Sequence, residues 1–105
     1  MSTFIYSPEE RRVILYILSE IMLADEYVHP KEQAFFDNVY HKLNADPSDI
    51  DTMEHIDNDY AKHVFVSMDS KKKEVLHQTF FDMAMADDVF DYREKNVLDY
   101  YFKGV

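Results

Sequence analysis

Residues 11–43 can be laid on residues 73–105 without a gap, at a constant shift of 62 positions. Val13 falls on Val75, Ile14 on Leu76, Leu18 on Phe80 and Glu20 on Asp82. Ala24, Asp25 and Glu26 fall on Ala86, Asp87 and Asp88. Val28 then meets Phe90, Lys31 meets Arg93, Glu32 meets Glu94, Asp37 meets Asp99 and Tyr40 meets Phe102. The agreement runs through polar and apolar positions alike. A chain made of two like units carries two like apolar faces, and packing those faces on each other about a pseudo-two-fold axis buries both.

The unit reads as helix–turn–helix. "SPEE" at 7–10 gives Ser7 as N-cap, Pro8 at the first helical position and Glu10 as the return half of a capping box. The first helix should run to about Leu23. Its apolar residues Val13, Ile14, Leu15, Ile17, Leu18, Ile21 and Met22 span more than one stripe, which places it centrally. After a turn at 24–29, Pro30 opens a second helix of about 30–43 with Phe35, Phe36, Val39, Tyr40 and Leu43 at helical spacing, and Asn44 suits its stop.

"DPSDIDTMEHI" predicts a short third helix, 47–56, capped by Asp46 with Asp49 in its first turn. "DNDY" at 57–60 reads as a linker. Val64, Phe65, Val66 and Met68 suggest a fourth helix over 61–68, although a strand fits the same run. Asp69 or Ser70 can cap a fifth helix of about 71–86, central like the first, carrying Val75, Leu76, Phe80, Met83 and Ala84. A sixth, about 92–102, carries Val97, Leu98, Tyr101 and Phe102. One glycine and three prolines leave little material for hairpins. The expectation is an all-α single domain of about six helices, with pseudo-repeats at about 11–43 and 73–105.

The repeated acids raise a chemical question. Asp25 and Asp87 lie where a helix closes, and a negative side chain there opposes the helix dipole. Glu32 and Glu94 lie in the first turn of the next helix, where a carboxylate is favoured and can complete a capping box, with Asp91 as cap in the second unit. Asp25 and Asp87 can likewise accept amides of the following turn. A second reading gives the same oxygens to a hard divalent cation. On it the ligands are Asp25, Glu32, Asp87 and Glu94, with Glu26, Asp88 and Asp91 as additional acids. Neither turn has the alternate acids, central glycine and twelfth-place glutamate of an EF-hand.

Other chemistries lack their residues. A net charge of −10 and a pI near 4.7 disfavour nucleic acid and anionic membranes, and favour divalent cations, basic protein surfaces or plain solubility. There is no cysteine, hence no disulfide, thiol nucleophile or zinc–thiolate site. The five histidines make no zinc-protease pair, and His77 reads as a half-buried packing residue. Phosphate loops and nucleophile motifs are missing, so no catalytic residues are expected. "SKKKE" at 70–74 reads as a solvated first turn and the chain's basic cluster. The start of the chain lacks a signal-peptide pattern, and the apolar run at 13–18 falls short of the ~20 residues of a membrane span. A cytoplasmic location is expected.

"ADEYVHPKE" at 24–32 and "ADDVFDYRE" at 86–94 resemble the Ala-Asp-Gly-x-Val-x-x-x-Glu pattern of the TerB-like tellurite-resistance family. Ala24, Asp25, Val28 and Glu32 match the first copy; Ala86, Asp87, Phe90 and Glu94 match the second. The family's glycine is Glu26 and Asp88 here, which adds acid to each turn. The resemblance implies an all-α domain of pseudo-two-fold repeats, cytoplasmic and non-enzymatic, linked to stress responses. It also implies a divalent cation held by Asp25, Glu32, Asp87 and Glu94. The alternative is a structural or protein-interaction domain whose acids only cap helices.

Overall fold

The computed structural model describes residues 6–24, 28–86 and 92–102. Among them are six α-helices and no strand: α1 (Pro8–Leu23), α2 (Pro30–Lys42), α3 (Pro47–Met53), α4 (Asn58–Ser67), α5 (Ser70–Ala84) and α6 (Tyr92–Phe102). The helix starts are written in the sequence. Each of the three prolines is the first residue of a helix, where its missing N–H costs nothing. Ser7 Oγ accepts the Glu10 amide at 3.1 Å, and Glu10 Oε1 accepts the Ser7 amide at 2.9 Å. At α3, Asp46 Oδ1 accepts from the amides of Ser48 (2.9 Å) and Asp49 (3.3 Å), while Asp49 Oδ2 accepts the Asp46 amide at 3.1 Å. Asn44, at φ 55°, ends the α2 segment in the left-handed region that asparagine tolerates.

The core forms around α1, which packs against all the other helices. Val13, Ile14, Leu15, Ile17, Leu18, Ile21 and Met22 are all buried, as the broad apolar stripe predicts. Against them pack Phe65 of α4, Leu76, Phe80 and Met83 of α5, and Leu98 and Tyr101 of α6. Phe65 sits in an aromatic group with Phe80, Tyr101 and Phe102, its ring centroid 5.2–6.5 Å from theirs. The Cα radius of gyration, 12.6 Å, matches the ~13 Å of one compact domain of this length.

Several local expectations change. DNDY is no linker: Asp57 caps α4, its side chain accepting the Tyr60 amide at 2.8 Å, and Asn58 to Tyr60 form the first turn. α3 stops at Met53, because the amides of His55 and Ile56 turn back to Thr52 and Met53. The first turn of α5 is not simply solvated. Lys72 Nζ pairs with Glu10 at 3.0 Å, and Lys73 Nζ donates to the Val66 carbonyl at 3.3 Å. α5 is also less enclosed than α1: it packs chiefly on α1, α2 and α6 and keeps an outward face.

Candidate functional site

Glu32 is the third residue of α2 and Glu94 the third residue of α6. Both are fully buried, at 0% exposure. The same type of residue at the same station of two helices, 62 positions apart, sits out of water both times. A first-turn carboxylate usually faces solvent, where dipole and water both favour it. Glu32 Oε1 lies 3.4 Å from the His29 backbone nitrogen, which donates to it as in the return half of a capping box. Asp25, Glu26, Asp87, Asp88 and Asp91 lie outside the described residues. Among the described residues, no three His, Asp or Glu side chains gather as a metal-holding group.

Two carboxylate sites that the repeat did not single out are also built into helix junctions. Asp49, at 0% exposure, takes a bidentate bond from Arg11 (Nε to Oδ2, 3.0 Å; Nη2 to Oδ1, 3.3 Å) and a further one from Arg12 Nε at 3.0 Å. Burial raises the Asp49 pKa, but the Arg11, Asp46-amide and Arg12 hydrogen bonds outweigh it and leave the carboxyl below its usual range. The site fastens α3 to α1. Its sequence signal was the adjacent Arg pair in an acidic chain, together with the acid at the third position after Asp46.

Glu20 stands on α1 between apolar neighbours. The Tyr101 hydroxyl of α6 donates to its Oε1, and Tyr16 also bonds it. Burial pushes the Glu20 carboxyl up, while the two tyrosine hydrogen bonds pull it back only in part. The same burial, with the bond to Glu20 and its charge, raises Tyr101; it also pushes Tyr16 up to about 12. Around this junction, Tyr100 donates to Asp59 of α4 at 2.9 Å, and Lys62 Nζ lies 4.7 Å from the Tyr100 ring centre. An acid within the apolar stretch 13–23 of α1, beside Ser19, was the available clue. The repeat obscured it, because the matching Asp82 is exposed.

The described surface clefts are shallow. One of about 250 Å³ between α2 and α5 is lined by Phe35, Asn38, Val39, Lys42, Thr79 and Asp82. The Thr79 hydroxyl there donates to the Val75 carbonyl, a helix-internal bond, and is not set against a base. Comparison with protein-family models, curated proteins and solved structures finds no match.

Proposed function

We propose that this chain is a small acidic, non-enzymatic binding module of the TerB-like kind, whose two pseudo-two-fold related units hold a divalent cation at their turns. The observation that carries this reading is the matched burial of Glu32 and Glu94. Each is the third residue of its helix, a few positions after a turn dense in acids. The first turn offers Asp25 and Glu26; the second offers Asp87, Asp88 and Asp91. Carboxylate oxygens are what a hard cation such as Ca²⁺ or Mg²⁺ takes. The helix limits support two like units: α1 and α5 begin 62 positions apart, as do α2 and α6.

A second reading rests on the bond from the His29 amide to Glu32: the acids serve only as caps, in a domain that binds a protein partner or has a purely structural role. Glutamine separates the two. It keeps the capping acceptor while removing the charge. On the cation reading, millimolar Ca²⁺, Mg²⁺ or Zn²⁺ raises the melting temperature of the intact chain through linkage, and Glu32→Gln, Glu94→Gln or Asp87→Asn abolishes the rise. No rise with any of the three ions leaves the caps as the whole role of these acids.

A further inference from the structure

We propose that α6 is a detachable cap over α1, α4 and α5, and that Glu20 is the proton-operated catch that sets how often it lifts. The catch is the Glu20 carboxyl of α1, bonded by the hydroxyls of Tyr101 from α6 and Tyr16 from α1 itself. Tyr101 is wholly buried at the joint. A second tie, from the Tyr100 hydroxyl to Asp59 of α4 at 2.9 Å, lies at the more exposed rim.

The junction of α1 with α3 shows what this joint lacks. There the buried Asp49 meets two guanidinium groups, from Arg11 and Arg12. Charge meets opposite charge, so docking α3 favours the ionised acid. Among the described residues no lysine, arginine or histidine pairs with Glu20, and its donors are neutral hydroxyls. Docking α6 therefore dries the carboxyl without neutralising it, and the charged form is disfavoured. Lifting α6 takes Tyr101 away and lets water reach Glu20. Ionisation thus favours the lifted state, and a proton on Glu20 favours the closed one.

The packing lets α6 lift by itself. α1 keeps α2, α3, α4 and α5 around it when α6 leaves. Helices open locally at free energies below that of global unfolding. Under α6 lie Phe65 and Phe80, both at 0% exposure, with their rings against Phe102. The lifted form presents this aromatic surface, and acid seals it.

Other titratable groups surround the joint. α4 brings Asp59, Lys62 over the Tyr100 ring, and its cap Asp57, whose charge reaches Tyr16 and Tyr100. On α5 the His77 ring lies against Phe102, and α6 carries the buried Glu94. Among the described residues, no charged side chain of α2, α3 or α5 contributes to the shift at Glu20. Glutamine at position 20 leaves all these groups in place, so it isolates the catch.

The test is amide hydrogen exchange of the full chain from near pH 4.5 to about pH 8, each rate divided by its intrinsic rate. EDTA keeps any cation at the turns out of the measurement. A series at low urea separates local opening from global unfolding. The α6 amides are expected to open with a shallower urea dependence than those of α1. They are expected to lose protection as pH climbs through the folded pKa of Glu20, by up to about ten-fold per pH unit, the limit for one proton. Glu20→Gln is expected to abolish that pH slope and keep the urea dependence. Tyr101→Phe, which removes a bond that holds the Glu20 pKa down, is expected to carry the slope to higher pH. The same urea dependence for α6 and α1 would show that the cap does not lift by itself. A flat pH profile in α6, or a slope that survives Glu20→Gln, would show that Glu20 is not the catch. Each of these overturns the proposal, and the first two are read on the unmodified chain, whether or not a variant folds.

Discussion

The Tyr101 hydroxyl donates its hydrogen bond to Glu20, joining the last helix to the first across 81 positions. Tyr101 is wholly buried, and Glu20 is the polar exception on a helix whose other inward residues are apolar. The bond therefore works in a half-dry setting, where the charged carboxylate is disfavoured and its pKa rises.

That rise has a sign. A carboxyl whose folded pKa lies above its unfolded value stabilises the fold fully below the unfolded value, near 4.5, and loses that contribution as pH climbs through the folded value. Urea unfolding of the intact chain should therefore gain a component of stability as pH falls from neutral toward 4.5. Glu20→Gln, which still accepts from Tyr101, is expected to remove that component and match or exceed the parent at neutral pH. An unchanged slope in the variant would show that Glu20 is not its source.

Asp49 has the opposite sign. Its lowered pKa means that it stabilises above the unfolded value of 3.8 and gives up that contribution as pH drops below it. Asp49→Ala leaves Arg11 and Arg12 without their shared acceptor and opens the α3 cap. Because Arg11 and Arg12 remain partly exposed and can be rehydrated, the loss is expected to be about 1–3 kcal/mol, a clear destabilisation. Thermal unfolding at neutral pH and at pH 3 measures both statements, with the gap between variant and parent narrowing in acid.

Leu15 and His77 occupy matching positions, yet their removal should differ. Leu15 is fully buried, and Leu15→Ala is expected to cost ~2–5 kcal/mol in lost burial and cavity formation. His77 is exposed and loses mainly its ring contact with Phe102, so His77→Ala is expected to cost about 1 kcal/mol or less. Parallel urea titrations of the two variants check the contrast.

Asn44 holds a positive φ of 55°. Asn44→Gly is expected to be near neutral, whereas Asn44→Val forces a β-branched residue into the left-handed region at ~1–2 kcal/mol. The readout is a lower urea midpoint for valine with an unchanged slope.

The helical framework was legible because its signals are local. Every buried apolar residue of α1 could be read from periodicity, and α6 begins and ends where its pattern does. Proline and cap residues marked the starts of α1, α2 and α3. The stretch 57–60 misled because a polar turn and a capped first turn share one composition: Asp57 and Asp59 suit both. Depth was harder to read. Nothing in the spacing of Glu32 or Glu94 distinguishes a solvated first-turn acid from a buried one, since burial there depends on how distant helices close over it. The Tyr101–Glu20 and Arg11–Asp49 bonds escaped for the same reason, each joining residues that periodicity treats separately. Of the four acids read as the site, Glu32 and Glu94 are placed by the structure, while Asp25 and Asp87 lie outside the described residues.

The packing of α1 against every other helix sets a timetable for biosynthesis. α1 leaves the ribosome before the other described helices, and Tyr101, which bonds its Glu20, is made 81 residues after Glu20. At about 5–20 residues per second, the most apolar segment of the nascent chain waits on the order of 4–16 s for the helix that completes its enclosure. During that interval it is a natural client for a ribosome-associated chaperone, and a stalled or truncated product would present the same greasy surface to quality-control proteases.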